Sequence, residues 1–571
     1  MPATTTKERT VQFRNFEKGM NQTSARTALR DDEVFFLENV QPIGAGQLVV
    51  IQPPAPNLVS IGAGIATLWG ITIKLAGVET ARLVTVNNDG SMTAVNPLTG
   101  GTTTIATAGT VTTKARFTMW QDTLLLIADP TNGYFSWDGT TLNKYPIALT
   151  GNTTNGSAVI TSVSPNTTGL IAGMHLLSAN LPAGTTIKSV DSGTQITASA
   201  NATATTTGVA ITVGAGAPTS VADLATFEGR AFLVSASRAI TLTAPASFTD
   251  FQTADGALTT TITDSVFAGQ ITRLLSALEV LWTIGPAAVN AISNVQLGTG
   301  NVTTLSNTNI VANVGTLLPS SVSSFFRTFL MLAPYGVYAI VGATPQKLSE
   351  QLDGLFPNLS FGSDQPSGIV SINRVFVWCV LVTYTDPLTN VPRPVLLCFS
   401  RNAWFIGSQG SGLTWIASLL NLTTGVPELW GTDGTNIFKC FAGTTPGAYT
   451  IKTKLYDFGA FTQKKQLLRI AIDIQNPGAT VNLNATATNE FGLTNAIALN
   501  PIVSVLTFIG AGAITFIGGG SVAIVWTIAS VSVEGSANIA GDYIGLTLSG
   551  TSLPFTISGI AMNIEWLGEW T

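Results

Sequence analysis

Hairpins recur along this chain at a spacing that few architectures can use. The stretch "RLVTVNNDGSMTAVNPLTG" (82–100) reads as a strand, an Asn-Asp-Gly turn, a second strand and a further turn. "DTLLLIADPTNGYFSWDGTTLNKY" (122–145) repeats the scheme about 49 residues later, measured from Asp89 to Asp138, and "PELWGTDGTNIFKCF" (427–441) presents it again. Asp-Gly suits such turns because Gly takes positive φ without penalty and Asp bonds its own backbone. Units of the same style occupy 229–245, 278–293, 327–342 and 374–406. A period of about 40 to 50 residues with several strands per unit is the signature of β-propeller blades, and the units predict about six to eight of them.

Helical signals are nearly absent; the best helical stretches are "TALRDDEVFFLENV" near the start and "FFRTFLML". Elsewhere short apolar runs alternate with Gly, Asn, Asp and Pro turns, which is the all-β pattern. The propeller repeat is interrupted between 149 and 214, where Lys188 and Asp191 are the only charges. This segment is expected to form a small six-to-seven-strand β-sandwich or barrel inserted between blades, because surface loops accept insertions at little entropic cost. Its turn-rich ends predict that it can be excised without unfolding the rest. After 446 the strands lengthen, as in "KKQLLRIAIDIQ" and "DYIGLTLSGT", and predict a C-terminal β-sandwich. The expected division is an N-terminal arm (1–50), a β-propeller in two parts (51–148 and 215–445), the inserted module (149–214) and the sandwich (446–571). The arm holds the densest charges and is expected to be a polar, lightly structured strap that orders on docking to a partner.

Charged residues are only 10% of the chain, against roughly 25% in typical soluble domains, so the surface must be covered largely by Thr, Ser, Asn and Gly. With 26 basic and 31 acidic residues the net charge is −5, which offers no basic footprint for nucleic acid. The three cysteines, Cys379, Cys398 and Cys440, lack metal or disulfide-framework spacing; Cys379 and Cys398 lie in apolar runs and read as small buried hydrophobes. "MPATTTKERTVQFRNF" lacks the apolar core of a signal peptide, so synthesis in a reducing cytoplasm is expected. Between Glu490 and Glu534 there is no charge, yet glycines at 510, 512 and 518–520 break the run into strand-length pieces. Buried strands are therefore expected there rather than a membrane span. The Gly-rich loops around Gly519 are read as tight hairpins, with an apolar rim as the alternative.

Catalytic constellations are missing. His175, in "IAGMHLLSAN", is the one histidine of the chain, so no Ser-His-Asp triad has a second candidate, and the residue reads as structural. Metal sites built from His and Cys are excluded by count, and no EF-hand spacing occurs. "WDGTTL" and "GTDGTNIF" lack the spacing of a sialidase Asp-box, and Arg230, Arg238, Arg273, Arg327 and Arg374 are spread over the propeller, as blade-edge ion-pair partners would be. Trp137-Asp138 matches the ending of a WD40 blade without a preceding Gly-His, and "GAGAITFIGGGS" and "IGAGIATL" lack the Lys-Ser or Lys-Thr of a P-loop. No catalytic, cofactor-binding or metal residue is expected, no cofactor, and no enzymatic activity.

"NFEKGMNQTSARTALRDDEVFFLENVQPIGAGQLVV" (15–50) resembles the start of tail nozzle or tail tube β-propeller proteins of short-tailed bacteriophages, in which a Phe-x-x-Gly-Met/Leu-Asn segment precedes an acidic stretch, Asn-Val and a Gly turn. Phe16, Gly19, Met20, Asn21, Glu33, Asn39 and Val40 stand at those places, while "VVIQPPAP" replaces the family's basic Arg-x-Gly. "APYGVYAIVGATPQKLSEQLDGLF" (333–356) resembles the family's late blade, and "IKTKLYDFG" with "KKQLLRIAIDI" the strand pair that leads out of the propeller. The insertion looks like the small β-modules common on phage tail proteins. The resemblance implies a structural virion protein of the tail, made in the host cytoplasm. It would form a homohexameric ring through which genomic DNA passes during ejection, in contact with a tail adaptor, neighbouring tail proteins and, at distal loops, the outer membrane. The alternative is a receptor-binding adhesin that contacts cell-surface glycan.

Overall fold

The computed structural model describes residues 8–475, 481–502 and 530–567, apart from 343 and 411. Seven antiparallel blades form a β-propeller: 65–106, 116–145, 224–261, 273–312, 323–347, 367–407 and 415–439. Each of the seven hairpin units read from the sequence falls in a different blade. Inner strands such as Leu124–Asp129 and Gly133–Trp137 are buried along their whole length. A blade wedged between two neighbours has no solvent face, so its strands carry continuous apolar runs and not an alternation. The turns form as their chemistry dictates. Asp138 accepts backbone N–H bonds from Thr140 (2.8 Å) and Thr141 (2.7 Å), and Gly139 takes φ 99°.

The ring is closed by hydrogen bonding. Blade 7 is completed by Val59–Ser60, which precedes blade 1 in the chain and pairs with Asn436–Lys439. At the same seam the first strands of blades 7 and 1 pack together so closely that a Cβ at Gly70 would lie 1.9 Å from the Ser418 carbonyl oxygen. Only glycine fits there.

The inserted module has six strands, from Ile147–Thr153 to Thr206–Val213. It is not packed separately from the blades. Its Leu149, Met174 and Ile211 belong to one apolar cluster with Tyr134 and Tyr145 of blade 2 and Phe248 and Phe251 of blade 3. The Tyr134 hydroxyl donates to the Phe248 carbonyl (2.9 Å), and the Tyr145 hydroxyl lies 2.6 Å from Ser136 Oγ. The module fills the wedge between two blades, so its burial is theirs as well.

The N-terminal segment also differs from the expected strap. Glu8–Phe13 pairs with Thr556–Trp566, and Gly19–Met20 and Glu33–Glu38 run between Ala403–Gly407 of blade 6 and Gly447–Thr453 of the sandwich. The result is one eleven-stranded sheet shared by blade 6, the N-terminal segment and the C-terminal domain. Phe16, Met20, Val34, Leu37 and Val40 are fully buried. These few apolar residues, spaced among charges, outweigh the polar composition because each lands in the core. The helical stretch "TALRDDEVFFLENV" is a strand over Glu33–Glu38 for the same reason: a slot between two strands suits Val and Phe. "FFRTFLML" forms two strands about a turn where Phe326 takes φ 53°.

The second sheet of the sandwich contains Lys465–Gln475, Thr556–Trp566 and Ser530–Gly541, with Ile470, Ile472 and Ile474 pointing inward at period two. Among the described residues no helix is long and apolar enough to cross a membrane. Gly519 and the glycine loops around it lie outside the described residues.

Candidate functional site

The residues that carry the N-terminal resemblance converge on the joint between propeller and sandwich. Gly19 takes φ 66°, and a Cβ there would lie 2.9 Å from Ala403 Cβ of blade 6. Asn21 donates to Glu33 Oε1 (2.8 Å), and Glu33 Oε2 accepts the Arg30 N–H (2.9 Å), which folds the intervening loop back on itself. Asn39, at φ 54°, ties three segments. Its N–H donates to Ile406 (2.7 Å), its side-chain amide to the Ala448 carbonyl (2.7 Å), and its Oδ1 accepts the Ser408 N–H (2.6 Å). Asn tolerates the left-handed region better than other non-glycine residues. Here it also supplies a donor and an acceptor that no apolar residue could.

The propeller axis holds a cavity of about 740 Å³, lined by Thr67, Asn88, Lys114, Thr272 and Trp415 among others. Arg116 of blade 2 reaches across it. Its Nη2 lies 2.6 Å from Asp364 Oδ2 in the connector between blades 5 and 6, Nη1 donates to Ser320 Oγ, and its guanidinium sits 5.6 Å from the Trp69 ring centroid. Asp364 also accepts the Ser320 N–H (2.9 Å). A nearly buried, charge-neutral pair thus spans the axis.

The sequence-predicted residues have separate surroundings. Arg230 is buried and donates to the Thr243 and Gly256 carbonyls (both 2.8 Å); Arg273 pairs with Asp223 (2.9 Å); Arg238 donates to the Asp264 carbonyl. Arg327 and Arg374 are exposed. These five do not share a partner. Trp137 is buried, and Asp138 serves its turn. Cys379 and Cys398 face each other across neighbouring strands with Sγ atoms 3.5 Å apart, and Cys440 is buried near them in the same cluster. Burial pushes the Cys379 and Cys440 thiols up, away from thiolate chemistry.

His175 lies buried where the module meets blade 3. Its N–H donates to Thr249 Oγ1 (2.9 Å), and its ring lies 3.8 Å from Asp250 and 3.6 Å from Asp255. Burial pushes the Asp250 carboxyl above its ordinary range, and Asp255 adds to that effect. Counting His and Cys left these carboxylates out of account. Nothing in the spacing of residues 175, 250 and 255, or of 116 and 364, marks them as neighbours.

No family model matches the chain, and no curated protein matches it. Among solved structures, the chain is similar to BBS1N, crystallised in complex with ARL6DN (TM-score 0.33, 8% identity, 69% of this chain and 98% of that one). It is also similar to the Swd1 β-propeller domain of Myceliophteria thermophila (TM-score 0.28, 10% identity, 67% and 99%). Likeness at this level carries nothing about function, and the propeller assignment rests on this chain's own seven closed blades.

Proposed function

We propose that this chain is a structural, non-enzymatic protein of a short-tailed phage tail, and that six copies form a ring through which DNA leaves the virion. One observation carries the proposal. The residues of the N-terminal resemblance, Phe16, Gly19, Met20, Asn21, Glu33, Asn39 and Val40, are the residues that lock propeller to sandwich. A ring wall under load needs such a joint. The Arg116–Asp364 pair across the propeller axis favours a conduit between subunits over one through the propeller. A net charge of −5 suits a wall that must not retain DNA, since basic contacts to phosphate would hold it.

Subunit contacts around a ring are heterologous, so two different faces must meet. Turns joining first to second and third to fourth strands all lie on one face of a propeller. On that face Val78, Leu98, Leu278, Phe326, Val341 and Phe376 are exposed. Tyr335 and Leu388, in turns joining second to third strands, are exposed on the opposite face, so both faces carry apolar tips that suit contact with another protein. The test is native mass spectrometry and electron microscopy of the purified chain and of tails. Six-fold axial rings are the expected result. A monomer at all concentrations that is absent from axial positions would overturn the proposal, and a peripheral trimer that binds glycan would replace it with the adhesin reading.

A further inference from the structure

We propose that His175, Asp250 and Asp255 form a binding site for a zinc-class divalent cation that staples the inserted module to blade 3. The inference is independent of the tail assignment. Among the described residues, this is the one group of three metal-ligating side chains whose donor atoms, one from each residue, lie within 4.8 Å of one another.

One ring nitrogen of His175 and one oxygen from each aspartate lie close enough for small side-chain rotations to bring all three onto one ion, while the second ring nitrogen stays free for a hydrogen bond to a carboxylate, as is common for metal-bound histidine. His175 Nδ1 lies 3.8 Å from Asp250 Oδ1, and Nε2 lies 3.6 Å from Asp255 Oδ2. Both exceed the range of about 2.7–3.2 Å for a good hydrogen bond. Ligands about 2.0–2.2 Å from a common ion stand roughly 3–4 Å apart, so within the 4.8 Å spread of these donors an ion would draw them together by about an ångström or less. The second observation is Nδ1 itself. His175 is 1% exposed, yet this atom has no hydrogen-bond partner. A buried orphan of this kind is destabilising and calls for an explanation, an ion among them.

The carboxylates are already held in place. Asp255 Oδ2 accepts the Gly184 N–H of the module (3.0 Å), and Asp250 Oδ1 accepts the Gln252 N–H (2.9 Å). The three side chains are nearly buried, at 1%, 6% and 11% exposure, so an ion there would be shielded from competing water. One imidazole nitrogen with two carboxylates suits zinc and its transition-metal neighbours better than calcium or magnesium, which prefer all-oxygen sets. His175 comes from the module and both aspartates from the 243–257 loop of blade 3, so an ion bound by all three would join the two bodies.

The test uses the full chain stripped with EDTA and titrated with Zn²⁺, followed by calorimetry, metal analysis and thermal melting. One Zn²⁺ per chain and a raised Tm are expected. Co²⁺ should give the visible absorption of a low-coordinate N/O site. Asp255→Asn and His175→Gln should weaken Zn²⁺ binding at least about 10-fold with unchanged circular dichroism. Substoichiometric zinc without a Tm shift overturns the proposal and leaves an imidazole–carboxylate contact alone, as does wild-type affinity in Asp255→Asn. If His175→Gln does not fold, the Asp255→Asn titration and the Co²⁺ spectrum of the wild-type chain decide.

Discussion

Arg393 of blade 6 grips Glu38 of the N-terminal segment with both arms of its guanidinium. Nη2 lies 2.9 Å from Oε2, Nη1 binds Oε1 and also Ser408 Oγ, and the Tyr384 ring centroid is 5.5 Å away. Bidentate pairing of this kind fixes geometry as well as charge. It sits beside Asn39, so the propeller meets the rest of the chain through a set of coupled polar bonds.

The joint should therefore fail at single positions. Arg393→Ala is expected to cost about 2 kcal/mol, since bonds to charged partners are worth more than neutral ones. Gly19→Ala is expected to cost at least about 2 kcal/mol, from the left-handed backbone and the 2.9 Å approach to Ala403 Cβ together. Urea denaturation followed by Trp fluorescence would measure both. Wild-type midpoints would mean that the sheet continuity alone holds the two domains.

Across the propeller axis, Arg116→Ala leaves Asp364 nearly buried without its cation. A loss of about 3 kcal/mol is expected, and the double substitution with Asp364→Ala should recover part of it. A double-mutant cycle on thermal or urea stability reads the coupling. Additive effects would show that the two side chains do not stabilise each other across the axis.

Excision of 147–213 should not leave a stable propeller, because Tyr134, Tyr145, Phe248 and Phe251 would be laid open. Aggregation or a much lowered Tm is the expected result when the gap is bridged with Gly and Ser. The milder Tyr145→Phe, which deletes only the bond to Ser136, should cost about 1 kcal/mol. A soluble excised protein with a wild-type melt would restore the picture of a free-standing module.

Three hydrogen-bonded aspartates should make the fold acid-sensitive. Hydrogen bonds from the Ser91 side chain and backbone hold Asp89 below its ordinary range, and Thr197 and Ser189 do the same for Asp191. Asp433 is also lowered; burial pushes it up, but bonds from Asn436 and Thr435 outweigh that. A carboxyl depressed in the folded state contributes stability that is present above the unfolded value near about 3.9 and is lost as pH falls through the folded one. Melting should thus weaken as pH drops below about 4, and Asp433→Asn should flatten that slope while retaining the turn. An unchanged slope in the variant would remove Asp433 from the account.

Much of the architecture is local chemistry and could be read from the residues. Asp89, Asp138 and Asp433 each bond the backbone two or three residues on, and Gly90, Gly139 and Gly434 take positive φ beside them. Such bonds need no distant partner, so the hairpins, their repeat and the all-β class follow from sequence alone. The insertion showed itself in the same way, as a break in that repeat.

What only the tertiary structure decided depends on residues far apart in the chain. Phe16 and Met20 look like isolated apolar residues in a polar strap until strands from 403–407 and 447–453 close around them. Asn39 meets Ala448, and Arg116 meets Asp364, across separations that no periodicity encodes. His175 reads as a lone core histidine until the blade 3 loop brings Asp250 and Asp255 to its ring. Turn and strand preferences act over a few bonds, whereas the joint, the ion pair across the axis and the His175 cluster arise from long-range packing, which composition and spacing do not specify.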